Sequence, residues 1–122
     1  MNLLLIALGG AAGALLRYGV SEWVTAPRGG FPLATLLANV TGAFLLGVAS
    51  LLLVRLEVSA AVRLGLTVGV LGAYTTFSTF SVETLDLVSD GQWRTAALYV
   101  VASVAGALAA AWAGQSLARG TG

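Results

Sequence analysis

The sequence of 122 residues contains no cysteine, no histidine and no lysine, and only 9% of its residues are charged. Without cysteine and histidine it lacks the usual zinc ligands, a thiol nucleophile and the commonest proton carrier near neutral pH. Six arginines against five acidic residues give a net charge of +1, far too little to neutralise a nucleic-acid backbone. No nucleophile–base pair is present either, so the sequence indicates neither an enzyme nor a nucleic-acid-binding protein.

What the sequence has instead is apolar residues, which make up 58% of it and give a mean hydropathy of +0.95. A soluble domain carries roughly 25% charged residues, and one this poor in charge has too few polar groups to cover its surface. The sequence therefore predicts an integral membrane protein. Its first apolar segment is also similar to a signal peptide. No basic side chain precedes it and three similar segments follow, so we interpret it as the first membrane span.

Four segments are long enough to cross a membrane, because a helix needs about 20 mainly apolar residues to span the hydrocarbon core. The predicted spans run over about residues 3–24, 32–54, 64–87 and 93–117. The connections are short, and the first contains the turn-forming sequence Ala26, Pro27, Arg28, Gly29 and Gly30. The predicted fold class is an all-α membrane protein in which residues 1–122 form one transmembrane domain.

Small residues recur at a spacing of four in these spans, as at Gly9 and Gly13 and at Gly106, Ala110 and Gly114. This spacing places small side chains on one helix face and lets backbones approach closely, so it predicts tight helix packing rather than a substrate site. A bundle of four short spans is barely thick enough to enclose a hydrated ion path. A homodimer in which both subunits wall the path would solve this problem.

The arginines give almost no preference for one orientation in the membrane. Four spans place both termini and the connection between the second and third spans on one side. That side carries Arg55, Arg63 and Arg119, and the other carries Arg28 and Arg94. Three against two is a negligible bias under the positive-inside rule, so we expect chains to insert both ways up, which allows antiparallel dimers. The alternative is that a chain this short carries too few charges for the rule to apply.

The third predicted span differs from the others in its density of hydroxyl residues. Five of the eight residues 74–81 are serine or threonine, and three glycines precede them. Because these residues weaken a helix, we expect the span to break between about Gly72 and Ser78, near mid-membrane. Irregular backbone at that depth survives only inside protein or beside water, and discontinuous helices use it to bind ions. The alternative is an unbroken helix whose hydroxyls bond to carbonyls four residues earlier.

Five side chains from three spans are candidates to line an ion path. Phe77 and Phe80 are three residues apart, and the positive edge of an aromatic ring can face an anion without trapping it. Asn39, inside the second span, brings two N–H donors, and Tyr99 and Ser103 share one face of the fourth span. The simpler explanation is contact with lipid or core packing for the phenylalanines, and helix–helix hydrogen bonding for the asparagine. The spacing of Tyr99 and Ser103 alone is weak support for an ion path.

Arg17 and Glu83 are the two ionisable residues most clearly inside predicted spans. Such residues are costly in a membrane and are functional by default. Arg17 can extend toward the membrane surface, pair with Glu83 or bond to carbonyls of the broken helix. We expect a structural role for both residues rather than a role in transport.

Three groups of residues in the first three spans follow each other in a recognisable order. They are residues 9–14 with Arg17 and Tyr18, then Thr35, Leu36, Asn39 and residues 42–44, then Gly72, residues 75–80 and Glu83. In this order they resemble the CrcB/Fluc family of fluoride channels, and the likeness covers essentially the whole sequence. Its most specific part is the string TTFSTF followed by a glutamate.

The resemblance implies a dual-topology homodimer with two antiparallel pores. The pore residues that it implies are Asn39, Phe77, Thr79, Phe80, Tyr99 and Ser103, with the two phenylalanines forming an aromatic box. It further implies that backbone carbonyls of Gly72 and Thr75 from both subunits hold a central structural Na⁺. The sequence departs from the family at Ala107, where some members continue the hydroxyl track of the fourth span, and at Tyr74, where an aliphatic residue is common.

The activity implied by the resemblance is passive export of cytoplasmic fluoride through a multi-pass channel in the cell inner (plasma) membrane. Hydrogen fluoride crosses a bilayer as a neutral acid and ionises in the more alkaline cytoplasm, so the membrane potential then drives the anion out. One alternative is a small multidrug transporter, which needs an intramembrane carboxylate, and Glu83 is the only candidate. Another is an assembly subunit that transports nothing.

Overall fold

The computed structural model of this chain describes residues 1–24 and 30–120, and almost all of them are helical. The helical elements are α1 (Asn2–Trp23), α2 (Leu33–Arg55), α3 (Ala60–Leu64), a π-helix (Gly65–Leu71), α4 (Gly72–Tyr74), α5 (Phe77–Ser89) and α6 (Trp93–Gly120). Within the described ranges, four helical stretches are long and apolar enough to cross a membrane, and the third, Ala60–Ser89, joins the four elements from α3 to α5. The predicted all-helical fold with four spans is confirmed. Residues 26–29 of the turn predicted over 26–30 lie outside the described residues.

Helix α1 packs against the π-helix through glycines on both sides. A Cβ atom added at Gly9 would overlap the carbonyl oxygen of Gly65, and one added at Gly13 would overlap that of Val70. A Cβ at Gly69 would lie 2.8 Å from the carbonyl oxygen of Ile6. The backbones of the two helices are therefore in direct contact, which is possible only because these positions have no side chain.

Helix α2 packs along α6 in the same manner. A Cβ atom at Gly47 would overlap the carbonyl oxygen of Ala111, and one at Gly114 would overlap that of Phe44. At the end of this pair, Arg55 Nη1 donates to the carbonyl oxygen of Ala118 over 2.7 Å. The bundle thus consists of two tightly packed helix pairs, with α5 lying against both α2 and α6.

The interior of the chain is small. One cluster of buried side chains, Phe80, Leu87, Ala96 and Tyr99, lies between α5 and α6. Most of the long apolar side chains of α1, α2 and α6 point outward, including Leu15, which is 70% exposed. An apolar surface this extensive suits contact with lipid or with another protein rather than with water.

The third span is interrupted at two residues. Thr75 has φ −83° and ψ 155°, and Thr76 has φ −152° and ψ 113°, so both are extended between α4 and α5. This is the bent third helix that the hydroxyl-rich sequence predicts. The π-helix that precedes it was not predicted. It places Gly65 and Gly69 against α1, and such wide turns often occur at functional sites.

Candidate ion pathway beside the interrupted helix

Asn39 binds the interrupted backbone at two points. Its Oδ1 accepts from the backbone N–H of Thr76 over 2.7 Å, and its Nδ2 donates to the carbonyl oxygen of Thr76 over 3.0 Å. An N–H group can only donate, so the first bond fixes which way the amide points. The side chain of Asn39 therefore satisfies backbone groups that an unbroken helix would have satisfied, and one of its two N–H donors remains.

Thr76 also begins helix α5. Its Oγ1 accepts from the backbone N–H of Thr79 over 3.2 Å and donates to Thr79 Oγ1 over 2.9 Å. A threonine in this position is a common N-cap, and it satisfies one of the N–H groups that every helix start leaves unpaired. Because Thr79 Oγ1 is an acceptor in this pair, its own proton is available to another group.

The same bonds leave two carbonyl oxygens outside the regular helical pattern. In a continuous helix the N–H of Thr76 would donate to the carbonyl of Gly72, but here it donates to Asn39. The N–H of Thr79 would donate to the carbonyl of Thr75, but here it donates to Thr76 Oγ1. Gly72 and Thr75 thus lose the donors that a helix would supply, and Gly72 is exposed on the surface of the chain.

A cavity of about 390 Å³, here called the phenylalanine cavity, lies beside the interruption. Its polar and aromatic walls are formed by Asn39, Thr75, Thr76, Phe77, Phe80 and Ser103. The ring centroids of Phe77 and Phe80 are 5.4 Å apart at an interplanar angle of 44°. Phe80 is buried, whereas Phe77 is 76% exposed at the rim. The lining residues described for this cavity include no charged side chain.

Ser103 is the most unusual residue of this cavity. It is only 7% exposed, and its Oγ has no hydrogen-bond partner within residues 1–24 and 30–120. A buried hydroxyl in a protein is normally hydrogen-bonded, so each exception requires an explanation. Ser103 lines the same cavity as an amide donor and two aromatic rings. A hydroxyl in this position without a partner is suited to bind a small anion.

A second cavity, of about 310 Å³ and here called the arginine cavity, lies on a different face of α5. Its walls include Arg17, Thr35, Thr76, Thr79 and Glu83, so Thr76 lines both cavities. Thr79 belongs to this second cavity rather than to the phenylalanine cavity. Pairing with Glu83 is one of the three possibilities that the sequence offers for Arg17. In the structure both residues line the arginine cavity.

Glu83 is bonded to two hydroxyl groups from other helices. Its Oε1 accepts from Thr35 Oγ1 over 2.9 Å, and its Oε2 accepts from the Tyr99 hydroxyl over 2.6 Å. Within the described part of the chain, no ion pair joins it to Arg17. The carboxylate thereby links α5 to α2 and α6, which is consistent with the structural role expected for it.

Tyr99 is fully buried behind the phenylalanine cavity. Its ring lies 5.2 Å from that of Phe80 and 5.5 Å from that of Phe31, measured between centroids. Its hydroxyl already donates to Glu83, and Tyr99 is not among the lining residues of either cavity. The structure therefore places Tyr99 where it supports the ring of Phe80, while Ser103, one turn further along α6, faces the cavity.

Two residues of this region were not singled out as site residues from the sequence. Thr76 is at the centre of the interruption, but nothing distinguishes it from Thr75 in a string of hydroxyl residues. Thr35 lies one turn before Asn39 on the same face of α2, and this spacing could have identified it as a site residue.

These features define a small helical membrane protein whose third span is interrupted beside a cavity lined by hydrogen-bond donors. Residues 4–115 match the family described as "CrcB-like protein, Camphor Resistance (CrcB)", and the chain belongs to that family.

Three similar relatives all carry the name fluoride-specific ion channel FluC. The relative from Methylococcus capsulatus is 50% identical over 121 residues, which are 98% of this chain and 53% of the relative, so the chain spans about half of that protein. The relative from Geobacter metallireducens is 48% identical over 121 residues, with 98% of both chains covered. The relative from Acidobacterium capsulatum is 47% identical over 117 residues, with 94% of both covered.

Proposed function

We propose that this chain is a fluoride-selective passive channel that lets cytoplasmic fluoride leave the cell down its electrochemical gradient. Relatives that match 94–98% of this chain bear the name of a fluoride-specific ion channel, and the family is one of channels rather than enzymes. Passive conduction needs neither a nucleotide site nor a proton carrier. A path lined by polar and aromatic residues without a charged side chain, like the phenylalanine cavity, also suits an anion that must both enter and leave.

The observation that carries this proposal is the unpaired hydroxyl of Ser103, a residue that lines the phenylalanine cavity. Together with the remaining N–H donor of Asn39 and the edges of Phe77 and Phe80, it provides donors of modest strength. A dehydrated fluoride ion needs such donors. Chloride is larger, and we propose that it is excluded by the size and rigidity of the same path.

The other predicted polar residues support this path in our proposal. Thr79 offers its hydroxyl proton to the arginine cavity, which adjoins the phenylalanine cavity through Thr76. Tyr99 and Glu83 fix the ring of Phe80 from behind. Arg17 remains a structural residue, and its positive charge and the negative charge of Glu83 both line the arginine cavity.

We further propose that the working unit is an antiparallel homodimer. A single chain leaves the rim of the phenylalanine cavity uncovered, because Phe77 is 76% exposed and Leu108, another lining residue, is 69% exposed. A second copy lying against this face would close the path. The near-equal distribution of arginines supports insertion in both orientations, and the proposed location is the cell inner (plasma) membrane.

The carbonyl oxygens of Gly72 and Thr75 fit the structural Na⁺ that the family resemblance implies. Both oxygens lose their helical donors at the interruption, and Gly72 is exposed on the surface of the chain. Carbonyl oxygens are suitable ligands for a hard cation. A bound Na⁺ would neutralise the partial negative charges of these oxygens and hold the interrupted segments of both subunits together.

The first test is transport by the purified protein. In liposomes loaded with fluoride or chloride, we expect the protein to release fluoride and to retain chloride, as measured with ion-selective electrodes. Protein-free liposomes serve as the control. Absence of fluoride release would overturn the proposal. A drug-stimulated proton flux abolished by Glu83→Gln would instead identify a small multidrug transporter.

Ser103→Ala tests the residue on which the proposal depends. We expect fluoride flux to fall about fivefold, the loss of one neutral hydrogen bond of about 1 kcal/mol. The melting temperature should not fall, because the hydroxyl loses no partner within the protein. Ser50→Ala is the matched control, since that hydroxyl bonds only to the Gly47 carbonyl of its own helix. Unchanged flux with a lower melting temperature would instead assign Ser103 a purely structural role.

A further inference from the structure

Tyr74 and Thr41 form a hydrogen bond between helices α4 and α2 whose direction the structure determines. The Tyr74 hydroxyl lies 3.0 Å from Thr41 Oγ1. Thr41 Oγ1 in turn donates its single proton to the carbonyl oxygen of Leu37 over 2.6 Å. Because a threonine hydroxyl has only one proton, Thr41 must be the acceptor and Tyr74 the donor in the bond between them.

This bond lies immediately beside the interruption of the third span. Tyr74 is the last residue of α4, and the extended residues Thr75 and Thr76 follow it. A Cβ atom at Gly42 would overlap the Thr75 methyl group and would lie 3.1 Å from Tyr74 Cδ1, so α2 contacts this segment directly. Asn39 holds the segment on one side of Thr75, and Thr41 holds it on the other.

We propose that Tyr74 is a positioning residue for ion conduction, and that its bond to Thr41 fixes where the carbonyl oxygen of Thr75 points. The proposal rests on the proposed function, because that oxygen is one of the ligands assigned to the structural Na⁺. Thr75 itself is bonded only toward the preceding helical turn, because its backbone N–H and its Oγ1 donate to the carbonyl oxygen of Leu71 over 3.1 and 3.0 Å. Asn39 joins Thr76, on the far side of the Thr75 carbonyl, to α2. The bond from Tyr74 to Thr41 joins the near side to α2 as well, so both ends of the peptide segment that carries this oxygen are held against one helix.

Because Tyr74 is the donor and Thr41 the acceptor, replacing Tyr74 is expected to have a different effect from replacing Thr41. Tyr74→Phe removes the donor, and Thr41 keeps its bond to the Leu37 carbonyl. Thr41→Val removes the acceptor and leaves the tyrosine hydroxyl without a partner at membrane depth, where such a group is costly. The Tyr74 hydroxyl, without an acceptor, is then expected to turn toward another one and to displace the neighbouring Thr75.

The experiment measures fluoride efflux from liposomes over a range of Na⁺ concentrations for both single variants and the double variant. Thr41→Val is expected to raise the Na⁺ concentration for half-maximal flux about tenfold. This factor corresponds to the cost of one buried hydrogen-bond donor without an acceptor. Tyr74→Phe should raise this Na⁺ concentration about threefold or less. The double variant should match Tyr74→Phe, because removing the tyrosine hydroxyl rescues the larger loss caused by Thr41→Val. Thr67→Val is the matched control, because that hydroxyl bonds to the Arg63 carbonyl within its own helical span.

Melting temperatures in detergent give a second readout that does not require transport. The same order is expected there, with Thr41→Val least stable and the double variant no worse than Tyr74→Phe. Additive effects in either measurement, or a Thr41→Val variant that behaves like Thr67→Val, would overturn the proposal. Fluoride flux that ignores Na⁺ in the unmodified protein would also overturn it while leaving the channel function intact. Absence of any fluoride flux would instead reject the proposed function.

Discussion

Replacing Asn39 with aspartate is expected to lower fluoride flux in liposomes by about tenfold or more, because a fixed negative charge at the path repels the ion by several kcal/mol at short range. Aspartate keeps an acceptor for the N–H of Thr76. It loses the donor to the Thr76 carbonyl and places two like partial charges there instead. It also loses the remaining N–H group that we assign to fluoride. The substitution therefore impairs both the support of the interrupted backbone and the binding of the anion.

Gln115→Glu is the matched control for this substitution. It makes the same change from amide to carboxylate on α6, where the side-chain oxygen already accepts from Arg119 over 3.4 Å. We expect flux through this control to be close to that of the unmodified protein. Size-exclusion chromatography of Asn39→Asp shows whether the protein still assembles as the unmodified protein does, so a loss of flux can be told apart from a loss of assembly. Flux equal to that of the unmodified protein would mean that Asn39 does not face the ion.

The interruption of the third span could be predicted from the sequence because its cause is local. Serine, threonine and glycine all weaken a helix. Five serines and threonines lie within residues 74–81, and three glycines precede them. Asn39 could be predicted as a polar residue inside a span for a similar reason. Its observed contacts are those of the simpler interpretation, since one N–H group bonds to the third span. The role of the other N–H group in binding the anion stays a prediction.

Other features could not be predicted because they depend on contacts distant in sequence. The bond between Thr35 and Glu83 joins residues 48 positions apart, and helical periodicity does not fix how each helix is rotated toward the other. The same rotation decides that Thr79 faces the arginine cavity, whereas Phe80, the next residue, faces the phenylalanine cavity. The π-helix depends on the fit of its glycines to α1, which neither helix reveals alone.

Gly13→Ala is expected to destabilise the protein by roughly 2–3 kcal/mol, the upper part of the range for inserting an extra carbon into a packed interior. The new Cβ would overlap the Val70 carbonyl oxygen and would lie 2.9 Å from Val70 C and 3.1 Å from the backbone nitrogen of Tyr74. All three neighbours are backbone atoms, which cannot rotate away as a side chain does. The π-helix must therefore move away from α1.

This movement would carry Tyr74 and the interrupted segment with it, so we expect fluoride flux to fall together with the melting temperature. Gly10→Ala is a sharp control, because a Cβ atom at Gly10 has nothing within 4 Å. Alanine is a better helix former than glycine by about 0.5–1 kcal/mol, so this variant should be slightly more stable than the unmodified protein. Two equal substitutions three residues apart are thus expected to change stability in opposite directions. Equal losses at both positions would contradict the contact between α1 and the π-helix as the cause.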